Sequence, residues 1–370
     1  MAKLIEYVSP SFFPSRSANS VHVINQCNAL AKESDKLILY FAMGKNFFCH
    51  EDIYKYYGIK LRKNIILRGV KVNSLFAMQL KIAFYAIIKI IFIKKINRLI
   101  ISRNLYVSFF MSLFSVSHIY EAHGIESFNL KKKIQNFILR RNDTVAISEM
   151  LKLLLITQCS KIKNIQVLHD AASDPNVVDV SEYIEDTDNF KIGYFGHLYS
   201  GRGIDIIKSL AKELSDIDFY VVGGDEESIK ALRKENDDKN LKIIGFVKNV
   251  EARSLMSKVD VLLMPYQKEV SIGIPGSDTS KWMSPLKMFE YMCAKRPIIS
   301  SNLQVLKEVL TDAENCILVD PKDINKWKES ILKLRNDKVM SEKIACKARE
   351  DFVMNHTWDV RARSLIDYGS

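Results

Sequence analysis

Short apolar runs of strand length recur along this chain, each separated from the next by a longer stretch with helical character, and the series occurs twice. In the first half the runs are Leu4–Val8, Lys36–Phe41, Arg98–Ser102 and Ser117–Ala122, with Val145–Ile147 and Ile165–Leu168 as shorter candidates. In the second half they are Phe190–Phe195, Asp218–Val222, Lys242–Ile244, Val259–Met264, Pro297–Ser300 and Cys316–Val319. Strands that alternate with helices build a parallel sheet covered on both faces. The 370 residues, 48% of them apolar, suffice for two such domains, each with its own core. Asp174–Asn189 is polar and acidic and carries Pro175, so it reads as the linker. The expected layout is therefore an α/β domain over 1–178, a second over 186–352, and a last helix, 353–370, that crosses back onto the first. Two Rossmann-like domains facing each other across a cleft would account for the whole chain.

Within the first half, Ser9–Asn19 reads as a loop and Ser20–Lys32 as a helix. Phe76–Ile93 is apolar apart from polar interruptions and Lys81 and Lys89, with Lys94, Lys95 and Arg98 just beyond. Its length is near the lower limit for spanning a bilayer. Two lysines inside it favour a buried helix or one lying in the membrane interface.

Charge is unevenly placed. Residues 1–180 hold 25 Lys and Arg against 12 Asp and Glu, a balance of +13, and the remaining residues hold 29 against 31, a balance of −2. Between Ile53 and Tyr120 there are twelve basic residues and no acidic one. Such asymmetry implies an anionic partner for the first half, and nucleic acid and an anionic membrane surface are the two candidates. The stretch is dominated by Ile and Phe, without a nucleic-acid motif, which favours the membrane. The six cysteines and seven histidines are scattered without metal or redox spacing, so no metal is expected. The N-terminal Lys3–Val8 segment carries charges where a signal peptide needs an apolar run, which predicts a cytoplasmic protein.

Two segments carry chemistry. In Ser284-Pro285-Leu286-Lys287-Met288-Phe289-Glu290, Ser284 suits a helix N-cap and Pro285 the first helical position. Lys287 then falls in the first turn, where its charge opposes the helix dipole, and a bound anion would remove the conflict. Glu290, three residues on and on the same helical face, suits a vicinal diol such as a ribose. The second segment, Gly196-His197-Leu198-Tyr199-Ser200-Gly201-Arg202-Gly203, follows a strand and leads into a helix. Its glycines allow close backbone approach, and Arg202 offers a planar fork for phosphate. Gly223, Gly224 and Gly245 lie at further strand ends. No G-x-G-x-x-G follows the first strand, which removes a dinucleotide-dependent dehydrogenase.

At these residues the chain resembles glycosyltransferase family 4. "GHLYSGRG" has the length of that family's "GRLxxxKG" turn, and "SPLKMFEYMCAKRPIIS" is similar to its "FEYMAxGxPII" segment, which holds the second glutamate of a Glu-x7-Glu pair. "YEAHG", "ISEM" and "LLMPY" fall in the family's order, and the resemblance runs from about Ser17 to Trp358. It implies a GT-B fold, a retaining transfer from a nucleotide diphosphate-sugar, UDP-sugar favoured and GDP-sugar possible, and no cofactor or metal. It implies that Glu290 binds the donor ribose, and that Arg202 and Lys287 bind the diphosphate. His123 would reach the transferred sugar. Ser17 and Ala18 would bring backbone amides to the diphosphate, with Gly196, His197, Ser284 and Leu286 lining the same donor site. Gly245, Phe246 and Val247 would hold the base. The acceptor implied is a glycan or a polyprenyl-diphosphate-linked glycan in bacterial surface polysaccharide synthesis. The enzyme would sit peripherally on the inner face of the cell membrane.

Two departures stand out. Trp282 occupies the place of the first motif glutamate, and His197 that of the family arginine, a charge that Lys287 would restore from the opposite side of the diphosphate. Alternatives to an active enzyme are a catalytically inactive homologue and a basic nucleic-acid-binding protein.

Overall fold

The computed structural model describes residues 4–15, 17–44, 49–72, 75–92, 97–185, 187–274 and 276–369. Lys3, Ile93, Lys94 and Lys95 of the readings above lie outside the described residues. The chain forms two compact units, Met1–Ala171 together with Thr357–Ser370, and Ala172–His356.

The first unit runs β1 (Leu4–Phe13), α1 (Ala18–Leu30), β2 (Lys36–Met43), α2 (His50–Tyr57), β3 (Ile65–Lys71), α3 (Leu75–Phe92), β4 (Arg98–Ser102), α4 (Leu105–Leu113), β5 (Ile119–Ala122), α5 (Asn129–Leu139), β6 (Asp143–Ala146), α6 (Glu149–Gln158) and β7 (Asn164–Val167). Its seven strands pair in parallel in the order β3-β2-β1-β4-β5-β6-β7. The order reverses between β1 and β4, so right-handed crossovers put the helices after β1 and β2 on one face and the later ones on the other. α3, α4 and α5 accordingly pack side by side. Val8, Ile38 and Ile100 of the sheet meet Ile82, Ala83, Ala86 and Ile90 of α3, all of them buried in one cluster.

One expectation changes here, and two elements are added. Ser9–Phe13 is strand, because Phe12 and Phe13 pair with Ala42 and Met43 of β2 after a register shift beyond Val8. α2 and β3 were not legible in the sequence. β3 lies at the sheet edge, where half-buried positions allow Arg68 and Lys71 to break an apolar run. α3 is a full helix, and no helix among the described residues is long and apolar enough to cross a membrane.

The second unit runs β8 (Phe190–Phe195), α7 (Ile204–Glu213), β9 (Ile217–Val222), α8 (Glu226–Glu235), β10 (Leu241–Gly245), α9 (Asn249–Met256), β11 (Val261–Met264), α10 (Leu286–Cys293), β12 (Ile298–Ser301), β13 (Ile317–Val319), α11 (Ile324–Asn336) and α12 (Lys338–Asn355). Its six parallel strands are ordered β10-β9-β8-β11-β12-β13, with the reversal between β8 and β11. Trp327, Phe219, Leu210 and Ile331 are fully enclosed in its core.

The acidic segment read as a linker is packed on this unit. Val180 is buried, the Val178 amide donates to Ser254 Oγ at 3.1 Å, and Asp174 pairs with Arg349 at 2.6 Å. The division therefore falls at Ala171/Ala172, ahead of that segment. A final helix, α13 (Trp358–Tyr368), begins where Thr357 caps the Val360 amide, and it belongs to the first unit, packed against α1.

Candidate functional site

In open α/β sheets, ligands bind beyond the carboxyl ends of the strands where the order reverses. In the second unit that point lies beyond Phe195 of β8 and Met264 of β11. The chain leaves β8 through Gly196, whose φ of +143° few side chains adopt. A Cβ there would also stand 2.7 Å from Lys287 Nζ. Glycine is thus required twice, for conformation and for room beside the ammonium. Gly203 has φ +80° and opens α7; a Cβ on it would run into the Pro265 carbonyl at 2.0 Å.

Lys287 stands in the first turn of α10 with its Nζ 4.1 Å from the Tyr194 ring centre and 5.1 Å from that of Tyr266. The Nζ is shut off from solvent and has no hydrogen-bond partner. Burial, and then the Arg202 cation, push its pKa well below the ordinary lysine value, with Glu290 opposing. Arg202 is held in place: Nη1 donates to Tyr266 Oη and Nη2 to the Ser271 carbonyl, each at 2.9 Å, while its Nε is buried without a partner. Two enclosed guanidinium and ammonium groups that repel each other and retain unused donors form a receptor for an anion.

α10 starts one residue later than expected. Pro285 is the N-cap and Leu286 the first helical residue, and Ser284, just ahead of them, is buried. Proline's fixed φ and missing N–H suit the position preceding the helix as well as its first turn. The Tyr291 hydroxyl accepts the Phe195 amide at 2.9 Å and so ties α10 to the end of β8. Glu290 receives Asn249 Nδ2 at 3.3 Å, which brings the start of α9 to this helix. Gly245, Phe246 and Val247 lie just before α9; Phe246 is exposed and Val247 buried. His197 stacks on Tyr199 with ring centres 4.7 Å apart. Burial, Arg202 and Lys287 lower its pKa, so it is a neutral group and adds no cation of its own. Trp282 is half-buried in a loop that Asp278 organises by accepting the Val270 and Ser280 amides. A cavity of about 420 Å³ opens on the α7–α8 side of the glycine-rich loop, lined by Arg202, Ser228 and Glu235 among others, and does not include Lys287 or Glu290.

His123, Ser17 and Ala18 belong to the first unit, again near its order reversal. Ser17 is the N-cap of α1 and accepts the Ser20 amide, and Ala18 opens the helix. His123 follows β5, with Nε2 3.0 Å from Glu121 Oε1. Glu121 is fully buried and also receives Tyr7 Oη at 2.7 Å and Arg361 Nη2 at 2.9 Å. His22 lies between Glu121 and Asp170, at 3.2 and 3.0 Å. Burial alone would raise the Glu121 pKa, but Arg361 and its hydrogen bonds hold it well below the usual range. The carboxylate is therefore charged, which assigns a proton to His123 Nε2 and leaves Nδ1 as an acceptor. Burial and the Arg103 cation lower the His123 pKa to about 4.

His22, Glu121 and His123 bring three ligand-type atoms within 4.8 Å. Arg361 already supplies a positive charge at the shared oxygen, 2.9 Å away, while neither ring nitrogen of His22, though close to carboxylates, makes a hydrogen bond.

Several of these residues escaped the sequence reading. Tyr194 and Tyr266 lie at strand ends and Asn249 at a helix start, where no local pattern marks them. Arg361 is separated from Glu121 by most of the chain. Arg103 left one signal, an arginine directly after a strand. It lies beyond β4, its amide bonded to Val8 of β1 at 2.9 Å, and its Nη1 is buried without a partner.

The fold and these two strand-end sites define a protein of the GT-B class. Its structure superimposes on that of Anabaena Alr3699/HepE in complex with UDP with a TM-score of 0.70 and 14% identity, over 99% of this chain and 98% of that one. A sucrose-phosphate synthase from Thermosynechococcus elongatus gives 0.72 and 15%, over 99% and 98%. Residues 189–337 match the family model Glyco_trans_1_4, glycosyl transferases group 1. An uncharacterized glycosyltransferase of Methanocaldococcus jannaschii, MJ1178, is 22% identical over 251 residues. That match covers 66% of this chain and 66% of that protein, just short of two thirds of its length. Together these findings support a glycosyltransferase.

Proposed function

We propose that the protein is a retaining glycosyltransferase. It moves a sugar from a nucleotide diphosphate-sugar, with UDP as the favoured nucleotide and GDP as the alternative, to a hydroxyl of a glycan or polyprenyl-diphosphate-linked glycan. The observation that carries this reading is the enclosed, unpartnered Lys287 ammonium beside the anchored Arg202, beyond β8 and β11. A diphosphate set against both cations satisfies their free donors and cancels their repulsion. HepE in complex with UDP-glucose supports the choice of nucleotide.

In the proposed reaction the bond between the anomeric carbon and the β-phosphate oxygen lengthens, and negative charge grows on the departing diphosphate. Arg202, Lys287 and the start of α10, where Ser284 and Leu286 lie, meet that charge as preorganised donors, and the amides around Gly196 and Ser17–Ala18 add to them. Glu290 accepts the ribose hydroxyls, and Gly245–Val247 hold the base. His123, neutral and with Nδ1 free to accept, holds a hydroxyl of the transferred sugar. The acceptor hydroxyl enters on the face the leaving group vacates and gives its proton to the departing β-phosphate oxygen, which retains the anomeric configuration. The scheme assigns no step to a metal. The first unit's basic character fits an acceptor presented at an anionic membrane surface, and the setting proposed is the cytoplasmic face in bacterial surface polysaccharide synthesis.

A thermal-shift panel of UDP-, GDP- and other nucleotide-sugars tests the donor. A UDP-sugar should raise the melting temperature most, and a panel without any shift would refute the reading. NMR of the sugar released on slow donor hydrolysis tests the stereochemistry, and an inverted product would remove retention.

A further inference from the structure

Helix α3 is apolar on its outer side as well as on the side that packs. Ile82, Ala83, Ala86, Ile87 and Ile90 are buried. On the opposite side stand Leu80, Phe84, Ile88 and Ile91, all exposed, with Phe84 at 72% and Leu80 at 50%. At about 100° per residue their spacing confines them to a stripe roughly 80° wide along the helix. Single apolar residues at a surface are ordinary; four large ones in line mark a contact surface. Lys81 is exposed on the flank of this stripe, and Lys89, also exposed, lies about 100° further round the helix.

We infer that the outer face of α3 docks the protein in the interface of an anionic bilayer, with the helix lying in the membrane plane. The inference rests on the reading of the acceptor as membrane-presented, and it names the surface. Charge selects lipid over the other occupants. No carboxylate exists between Ile53 and Tyr120 to oppose an anionic headgroup, and twelve cations do exist there. A second copy meeting this face by a two-fold axis would bring the Lys81 flank of each copy to a stretch that holds no carboxylate to pair with it. Length selects lying over crossing. α3 spans about 27 Å at 1.5 Å per residue, carries two exposed lysines along its length, and is among the helices not long and apolar enough to span. An interfacial helix sinks its apolar stripe about 5–10 Å while its lysine ammonium groups reach the headgroups.

The test uses the full chain with vesicles of pure phosphatidylglycerol and of pure phosphatidylcholine. The wild type should co-sediment with the first, less with the second. Added salt should weaken the binding without abolishing it, because the apolar contact is not screened. Phe84→Glu with Ile88→Glu should lower the bound fraction by about tenfold or more while calorimetric UDP affinity stays unchanged, which also reports that the variant is folded. Phe84→Trp, a milder change, should show a blue-shifted emission on adding phosphatidylglycerol vesicles and quenching by brominated lipid. Sedimentation of the glutamate variant equal to wild type, with no blue shift for the tryptophan variant, would overturn the assignment of this face while leaving membrane association standing. No sedimentation of the wild type with either vesicle would remove the membrane reading altogether. A wild-type dimer that the glutamate pair dissociates would show that a second copy covers the stripe, and would equally overturn the proposal.

Discussion

Replacing Lys287 by methionine separates what the ammonium does for folding from what it does for ligand. In the free protein the group is enclosed, has no hydrogen bond, and is repelled by Arg202. An unsatisfied buried polar group costs about 1–3 kcal/mol, and more when charged. Two aromatic faces, Tyr194 at 4.1 Å and Tyr266 at 5.1 Å, return part of that, about 1 kcal/mol each, which leaves about 1 kcal/mol of a charged group's cost of about 3 kcal/mol. Methionine has similar length and shape and no charge, so Lys287→Met should leave the packing intact and raise stability by about 1 kcal/mol. For a domain of this size that is roughly 2–4 °C in melting temperature. The same substitution removes a charge-assisted contact to the diphosphate, about 1.5–3 kcal/mol, so UDP affinity should fall about 10- to 150-fold. Scanning calorimetry without ligand and titration calorimetry with UDP measure the two effects. A variant that melts lower than wild type and binds UDP unchanged would show that the ammonium is already compensated in the free protein and plays no part in the site.

Three further expectations follow from the same geometry. UDP binding should take up a proton at pH values between the depressed pKa of Lys287 and the value it regains beside an anion, with affinity rising as pH falls through that window; titrations in two buffers of different ionisation enthalpy read the uptake, and Lys287→Met should abolish it. Glu290→Gln should leave the melting temperature near wild type but weaken UDP more than inorganic pyrophosphate, and Arg202→Ala should lower turnover by about 10- to 1,000-fold, both checked by calorimetry and a coupled UDP-release assay. His123 is half-buried and neutral, with a pKa near 4. The unfolded chain therefore binds the extra proton first, and stability should fall as pH drops from about 6.5 towards 4. His118, also lowered to about 4, acts in the same window, so His123→Asn should flatten the loss only in part, as read by denaturant melts across that range.

The second unit was legible almost strand by strand. β8 falls where it was expected because Ile192–Phe195, buried throughout, is a run free of charge that follows a polar segment, and buried parallel strands require such runs. Arg202, Lys287 and Glu290 were likewise readable, since a glycine-rich turn and a helix start each leave a local pattern. The sequence also fixed the charge asymmetry and the apolar character of α3.

Only the folded chain decided the rest. The edge strand β3 has no continuous apolar run because half of it meets solvent, and the start of α10 depended on backbone geometry that Ser284 and Pro285 leave open between two positions. Of the tyrosines that wall Lys287, Tyr194 comes from β8 and Tyr266 from just beyond β11, strands that are neighbours only because the sheet reverses its order. Glu121 acquires its partners from residue 7, from residue 22 and from residue 361, and no local pattern can show that a carboxylate will be buried among them. Periodicity and turn chemistry are properties of neighbours along the chain, whereas burial, the pKa of an enclosed ammonium and the loss of its hydrogen-bond partners arise from neighbours in space.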